Sequence, residues 1–492
     1  VEEVNQLAND LVTSFTDVFW AWILIPVLAG LSVYFTIRLG AVQLRLLPEM
    51  FRTLRSKPET APDGKKAISS FQAFSISAAA RIGTGNVVGV AGAIAVGGPG
   101  AVLWMWVMGL LVGAASFVES TLGQLYKVRD PSGYRGGPAY YMQHGLNARW
   151  MGVIFAVAIT VTFGFVFNAV QSNTIANAIA NSAGAAGYAT TGWVTAVVGL
   201  LLVAVTSMVV FGGVRRIARV AQTLVPFMAV FYILMALVVV VLNVDQVPAV
   251  LDRIVQSAFG LQEFAGATLG TVIIQGVRRG MFSNEAGLGS APNAGATAGV
   301  THPVKQGLVQ TLGVFFDTLI VCSMTAFLIL STDPTYGAER GPLLTQEALE
   351  TGLGGWSLHA LTLVLLLLAF SSILGNFYYG QANVAFLTEN RGVMTGFKVI
   401  FLIATFLGSI GTVQIVWSLA DTAMGFMAFV NLMALAPLVG VVGLVLKDYV
   451  AQRKQGLDPV FTRDRLPQLR GVQCWDGEQE PSASDGAGKA GS

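Results

Sequence analysis

Gly-Met-Phe-Ser-Asn-Glu-Ala-Gly-Leu-Gly-Ser at 280 to 290 lies inside a long apolar stretch, and so does Arg-Ile-Gly-Thr-Gly-Asn at 81 to 86. The segments that hold them, Phe74 to Gly100 and Leu269 to Ala298, are too hydrophobic for loops and too broken by glycine for ordinary helices. In hydrocarbon every backbone N–H and C=O needs an internal partner, so an interrupted helix at membrane depth survives only against protein or a wet cavity. Two such helices in corresponding positions of two halves point to the binding site of a secondary transporter.

Composition agrees with a membrane chain. Hydrophobic residues make up 54% and charged residues 11%, and the mean hydropathy is +0.65, whereas soluble domains carry roughly 25% charged residues. The net charge of +2 is spread along the sequence, which excludes a nucleic-acid stripe. Cys322 and Cys474 form neither a disulfide framework nor a metal spacing.

A spanning helix needs about 20 mostly apolar residues. Eleven segments meet that requirement: 18–38, 72–97, 100–126, 150–180, 190–210, 219–242, 264–299, 307–331, 357–387, 395–411 and 413–446. Lys and Arg crowd into alternate loops, with Arg38, Arg45, Arg52, Arg55, Lys57, Lys65 and Lys66 after the first span, then Lys127, Arg129 and Arg135, then Arg215, Arg216 and Arg219, then Lys305 and Arg391. The opposite loops hold Arg253 and Arg340 beside Asp245, Asp252, Asp333, Glu339 and Glu347. By the positive-inside rule the amino terminus, residues 1–17 with Glu2, Glu3, Asp10 and Asp17, lies outside, and the tail 447–492 with Lys447, Arg453 and Lys454 lies inside. The first span is long, follows acidic residues and lacks a small-residue cleavage pattern, so it reads as a retained helix rather than a signal peptide. From Gly477 the tail is rich in Gly, Ser, Ala and Glu, a composition that predicts disorder.

Setting aside the helix 18–38 and the cytoplasmic loop 39–71 leaves ten spans, with the broken ones first and sixth. Five spans separate the equivalents, so residues 72–242 and 264–446 read as two halves of opposite topology. The expected fold is an all-α polytopic membrane protein of eleven helices, one extra N-terminal helix plus a five-plus-five inverted repeat.

At Gly83-Thr84-Gly85-Asn86 two glycines, each costing a helix about 1 kcal/mol against alanine, bracket a β-branched residue. Unwinding there frees N–H groups at a half-helix start, which suit a carboxylate. It also frees upstream carbonyls at Ala79 and Ile82, which suit a small hard cation. Gly89, Gly92 and Gly113 read instead as helix-packing positions. In the second break Arg278, Arg279, Asn284 and Glu285 crowd into eight residues, and intramembrane charge marks a functional site with pairing expected. Glu119 is one candidate partner for an arginine, and the sequence leaves the pairing of Arg81, Glu119, Arg278, Arg279 and Glu285 open. Gln171, Asn173, Ser371, Ser372, Asn376, Asp317 and Asp421 are the other polar residues in spans. Asp317 and Asp421 read as packing and capping partners, and serines in spans more often bond back to their own helix than bind ions.

Gly-Thr-Gly-Asn-Val-Val-Gly-Val-Ala at 83 to 91, Gly-Gly-Pro-Gly-Ala at 97 to 101, Gly-Gly-Pro-Ala-Tyr-Tyr-Met at 136 to 142 and Arg-Gly-Met-Phe-Ser-Asn-Glu-Ala-Gly-Leu-Gly-Ser-Ala-Pro at 279 to 292 resemble the alanine or glycine:cation symporters. The resemblance runs from about residue 20 to 445. It implies a bacterial or archaeal cell-membrane protein with eleven helices and a leucine-transporter-like fold. It further implies sodium-coupled uptake of a small neutral amino acid, alanine or glycine, by alternating access. Thr84, Gly85 and Asn86 would hold the substrate carboxylate and its surroundings, and an unwound stretch at Met281, Phe282 and Ser283 would receive the ammonium. Gln171 matches a pocket-facing glutamine, and Ser371 and Ser372 would complete a sodium site with the Ala79 and Ile82 carbonyls.

One position departs from the family. Many members read Ile-Leu-Gly-Trp-Tyr-Tyr-Gly where this chain reads Ile-Leu-Gly-Asn-Phe-Tyr-Tyr-Gly, with Asn376 at the tryptophan. The change opens volume and adds an amide with two donors and an acceptor, so a larger polar amino acid such as glutamine becomes a contender. Proton coupling is the rival mode, and it requires a carboxylate in the cation site; no Asp or Glu lies next to Gly83 or Ser372 in the sequence. An enzyme is not indicated, because the three histidines (His144, His302, His359) fall in no His-Glu-x-x-His and no Gly-x-Ser-x-Gly is present. A channel pore-loop repeat and a nucleotide-binding Gly-x-x-x-x-Gly-Lys-[Ser/Thr] are likewise lacking.

Overall fold

The structure of the protein, a computed structural model, describes residues 14–56, 67–130, 133–188, 192–261, 268–337 and 341–476. Glu2, Glu3, Asp10, Lys57, Lys65, Lys66, Glu339, Arg340 and the tail from Gly477 lie outside the described residues, and so do the expectations that rest on them.

Among the described residues nine helices are long and apolar enough to cross a membrane. They are α1 (Ser14–Arg38), α5 (Gly100–Leu125), α6 (Arg149–Ala185), α7 (Trp193–Val210), α8 (Val214–Leu242), α10 (Pro303–Leu330), α11 (Trp356–Leu387), α12 (Arg391–Ile410) and α13 (Val416–Lys454). Between α1 and α5 lie a short helix α2 (Leu47–Leu54) and a bent pair, α3 (Ser70–Arg81) and α4 (Gly85–Gly97), which turn 49° at their junction and, taken as one span, raise to ten the number of helices among the described residues that are long and apolar enough to cross. The start of α3 is fixed by a reciprocal cap: Ser69 Oγ accepts the Gln72 N–H at 3.1 Å, and the Gln72 side chain accepts the Ser69 N–H at 3.0 Å.

The segment expected to span over 264–299 is not one crossing helix. Its described part is α9 (Leu269–Asn284), 16 residues long, a turn, and a short helix Ala291–Gly295. The turn exists because Glu285 takes φ 56° and Gly287 and Gly289 each take φ 80°, left-handed conformations that end a helix. Met281, Phe282 and Ser283 therefore sit in the last helical turn of α9, not in an unwound stretch. The first break is also narrower than its glycines suggest. Only Ile82 and Gly83 leave the helix, while Gly85–Gly89 wind into a π turn.

Burial follows position in the bundle. α5 and α10 pack along each other and are the most enclosed helices; α9 lies against α5 and α4. A second group forms where α6 packs on α11 and α12, and α3 contacts both α8 and α11. Apolar side chains of α1, α7 and α12, such as Trp22, Leu200 and Ile403, are exposed, as lipid-facing residues are.

The last helix continues past 446, to Lys454. The tail beyond it is folded up to Asp476, despite its polar composition. Phe461 N–H donates to Thr301 O at 2.8 Å, Lys305 Nζ pairs with Asp458 at 2.9 Å, and Trp475 Nε1 donates to Leu125 O at 3.1 Å. Phe461, Val472 and Trp475 are buried, so a few apolar anchors hold this segment on the ends of α5 and α10.

Candidate functional site

The break between α3 and α4 rearranges backbone partners. The Gly83 N–H turns to Asn86 Oδ1 at 2.9 Å, and the Ala79 carbonyl, four residues back, meets Ser371 Oγ at 3.4 Å. Thr84 N–H points at Gln171 Oε1, 3.4 Å away on α6. A Cβ at Gly83 would run into the Ser372 hydroxyl and would lie 3.3 Å from Gln171 Oε1, so glycine lets α3, α6 and α11 converge there. Ala79, Ile82, Gly83, Thr84, Gln171, Ser371 and Ser372 thus gather around one point. Both serines also bond back to Leu368 O, Ser371 at 2.8 Å and Ser372 at 3.1 Å.

The other side of the site is α9. A Cβ at Gly85 would sit 2.9 Å from Phe282 Cδ1 and 3.2 Å from Ser283 Cα, so the two broken segments touch through that glycine. Phe282 packs between Phe167 and Trp417, with ring centroids 4.6 Å and 4.8 Å away and both pairs tilted by 36°. A cavity lined by Val88, Asn173, Asn177, Gln346, Leu361 and Trp417 opens beside this aromatic wall.

Several polar groups here are buried and unpaired. Among the described residues Thr84 Oγ1 has no hydrogen-bond partner, and neither Nδ2 nor Oδ1 of Asn376 has one, although Asn376 is only 1% exposed. Asn376 stands four residues after Ser372 in α11, hence one turn along the same face. Orphaned buried polar atoms are costly, and each needs a physical reason to persist.

Asp317, a packing and capping partner by sequence, stands between the two interrupted segments. It lies in a π turn of α10, Phe316–Cys322, a distortion frequent at functional sites. Its Oδ1 accepts Asn86 Nδ2 at 2.7 Å and its Oδ2 accepts Ser283 Oγ at 2.7 Å, so one carboxylate ties the first break to the second. The sequence places Asp317 far from Gly83, whereas the fold brings its carboxylate to the residue that caps the Gly83 N–H. The set around the break is therefore not neutral throughout.

The structure settles the partners that the sequence left open. Glu119 accepts the N–H groups of Gly287 at 3.3 Å and Gly289 at 3.0 Å, and Asn431 Nδ2 at 2.9 Å; it holds the turn after α9, not an arginine. Arg279 forms a two-pronged pair with Asp421, at 3.0 Å and 2.8 Å, and Arg278 pairs with Asp17 at 2.7 Å. Asp421 is thus an ion-pair partner. Glu285 accepts the Ser290 hydroxyl at 2.6 Å. Arg81 donates to Gln310 O at 3.0 Å, and its charge acts on Glu119, Glu285 and Asp317 together.

The apolar helices around a polar centre between two interrupted segments define a multi-pass membrane protein. The chain belongs to the sodium:alanine symporter family, whose model matches residues 5–463. Membership makes it a membrane transporter and implies sodium as the co-transported cation. It is 48% identical to the probable sodium/glutamine symporter GlnT of Bacillus subtilis (strain 168) over 96% of this chain and 97% of that one. It is also 48% identical to the amino-acid carrier protein AlsT of the same organism, over 96% and 98%. To the sodium/alanine symporter AgcS of Methanococcus maripaludis it is 36% identical, over 88% and 95%.

Proposed function

We propose that the chain carries a neutral amino acid into the cell together with sodium by alternating access, through eleven spans arranged as one extra helix and an inverted repeat, with α9 and the short helix after it forming the broken eleventh span. The observation that carries the reading is the break at Ile82–Gly83. A helix carbonyl there faces a serine hydroxyl of α11, and Thr84 and Asn376 present polar atoms that no group among the described residues satisfies. In this reading the Ala79 and Ile82 carbonyls with Ser371 and Ser372 hold sodium. Thr84, Gly85 and Asn86 receive the carboxylate, Met281, Phe282 and Ser283 form the wall by the ammonium, and Gln171 and Asn376 face the rest of the substrate. The repeat is supported by equivalently placed helices that pair: α5 with α10, and α6 with α11. The charge of the loops supports an outside amino terminus and a cytoplasmic tail.

The free amide of Asn376 favours a substrate with a polar side chain, glutamine, over alanine or glycine, in line with the name of the GlnT relative. Proton coupling is a second reading, and Asp317 at Asn86 is the observation in its favour. Uptake of a radiolabelled amino-acid panel into proteoliposomes, with and without an inward sodium gradient, tests the reading. Sodium-dependent glutamine uptake supports it; indifference to sodium for every amino acid overturns it.

A further inference from the structure

Away from the transport path, a groove of about 430 Å³ opens between the end of α1 and the last turns of α13. Arg38, Arg45, Lys447 and Lys454 line it, with Leu39 and Leu446 on its floor. The chain brings Arg45 there by a tight reversal: Gly40 and Ala41 both take left-handed φ values, 62° and 49°, and the Arg45 guanidinium folds back over Gly40. None of the four cations has an acidic partner among the described residues. The nearby carboxylates are committed elsewhere. Asp448 accepts from Arg465 at 2.8 Å and meets His302, and Glu49 accepts from Tyr449 at 2.8 Å and pairs with Arg453 at 3.0 Å.

We propose that this groove binds the headgroup of an anionic phospholipid. Four unpaired cations on a small concave surface need an anion, and basic pockets between helices at the membrane boundary are suited to phosphodiester headgroups. The surroundings select a lipid over a soluble anion. Tyr34 and Ile37, one turn apart on α1 and 45% and 74% exposed, continue the groove as an apolar track for acyl chains. Leu44, next to Arg45 in the chain, is 53% exposed, as a side chain at the boundary between headgroups and chains would be. The bound lipid would lie across α1 and α13, tying the extra helix to the last one.

The test uses the full chain, stripped of lipid in a neutral detergent and titrated with phosphatidylglycerol or phosphatidylcholine under native mass spectrometry. Phosphatidylglycerol should be retained in preference to phosphatidylcholine. Each cation near an anionic headgroup strengthens association about fivefold. Arg45→Gln with Lys447→Gln should therefore weaken retention by about tenfold or more, while Arg391→Gln with Lys398→Gln, which removes two charges elsewhere, should not. If the first pair lowers the melting temperature, Lys454→Gln alone, at the exposed end of α13, should still weaken retention about fivefold. Equal retention of the two lipids, equal loss in both double variants, or complete displacement by inorganic phosphate at matched phosphate concentration would each overturn the proposal.

Discussion

Asn86 and Asp317, 231 residues apart, are joined by a 2.7 Å hydrogen bond in which the amide Nδ2 donates to the carboxylate Oδ1. The same asparagine caps the Gly83 N–H through Oδ1, and the same aspartate accepts the Ser283 hydroxyl. A displacement of α4 against α9 has to stretch this chain of bonds. Under the proposed assignment, this chain of bonds is a physical route for coupling a cation at the first break to a substrate against the second.

Asp317→Asn keeps the shape but turns an acceptor-only group into one that presents an N–H to Asn86 or to Ser283. A buried hydrogen bond to a charged group is worth about 1.5 to 3 kcal/mol, roughly ten- to hundredfold in an equilibrium. Sodium and substrate affinities should both fall by that order, measured by binding of labelled substrate at graded sodium. A variant that transports like the unmodified chain shows that Asp317 only fills space.

Ser371→Ala with Ser372→Ala removes two hydroxyls and leaves a good helix former. The sodium concentration for half-maximal uptake should rise sharply while the protein still inserts. Unchanged sodium dependence would mean that the back-bonds to Leu368 O are all these serines do.

Asn376→Trp fills the site with an indole and deletes the unpaired amide. A substrate side chain that loses a buried partner forfeits about 1 to 3 kcal/mol, roughly ten- to hundredfold in affinity. Glutamine uptake should collapse while alanine and glycine uptake persists or improves. An unchanged substrate ranking in competition assays removes Asn376 from the site.

The tail carries a pH signature. His302, buried just before α10, accepts the Val304 N–H at Nδ1, so its proton sits on Nε2, facing Asp448. Burial holds its imidazole down at about 4, against an ordinary 6.5, although Asp448 pulls the other way. A depressed histidine is neutral in the folded state and takes a proton on unfolding. Its contribution is therefore complete above about pH 6.5 and is lost as the pH falls from there toward 4. The slope reaches at most about 1.4 kcal/mol per pH unit. Protection of the 455–476 segment against protease should weaken from pH 7 to pH 5, and His302→Gln should flatten that dependence. An equal slope in the variant would place the titrating group elsewhere.

Much of the architecture can be read from local signals. A run of apolar residues declares a span, and glycines flanking Thr84 declare a break. What fails is anything set by distance through space. Arg278 and Arg279 announce a need for partners, but Asp421 lies 142 residues beyond Arg279, and Glu119 is taken by the amides of Gly287 and Gly289. Met281 to Ser283 stay helical because the residues able to reverse the chain, Glu285 and the two glycines, follow them. The tail hid its fold because Phe461, Val472 and Trp475 anchor it singly, without the periodicity that reveals a helix or a strand.

The central claim is that a sodium gradient drives amino-acid accumulation, and the most direct measurement is uptake by the purified protein in liposomes under one ion gradient at a time. An inward sodium gradient at equal pH should concentrate the amino acid inside. A pH gradient in potassium buffer should leave it at equilibrium. Equal accumulation under the pH gradient without sodium would contradict the account and move the coupling role to Asp317 as a proton carrier.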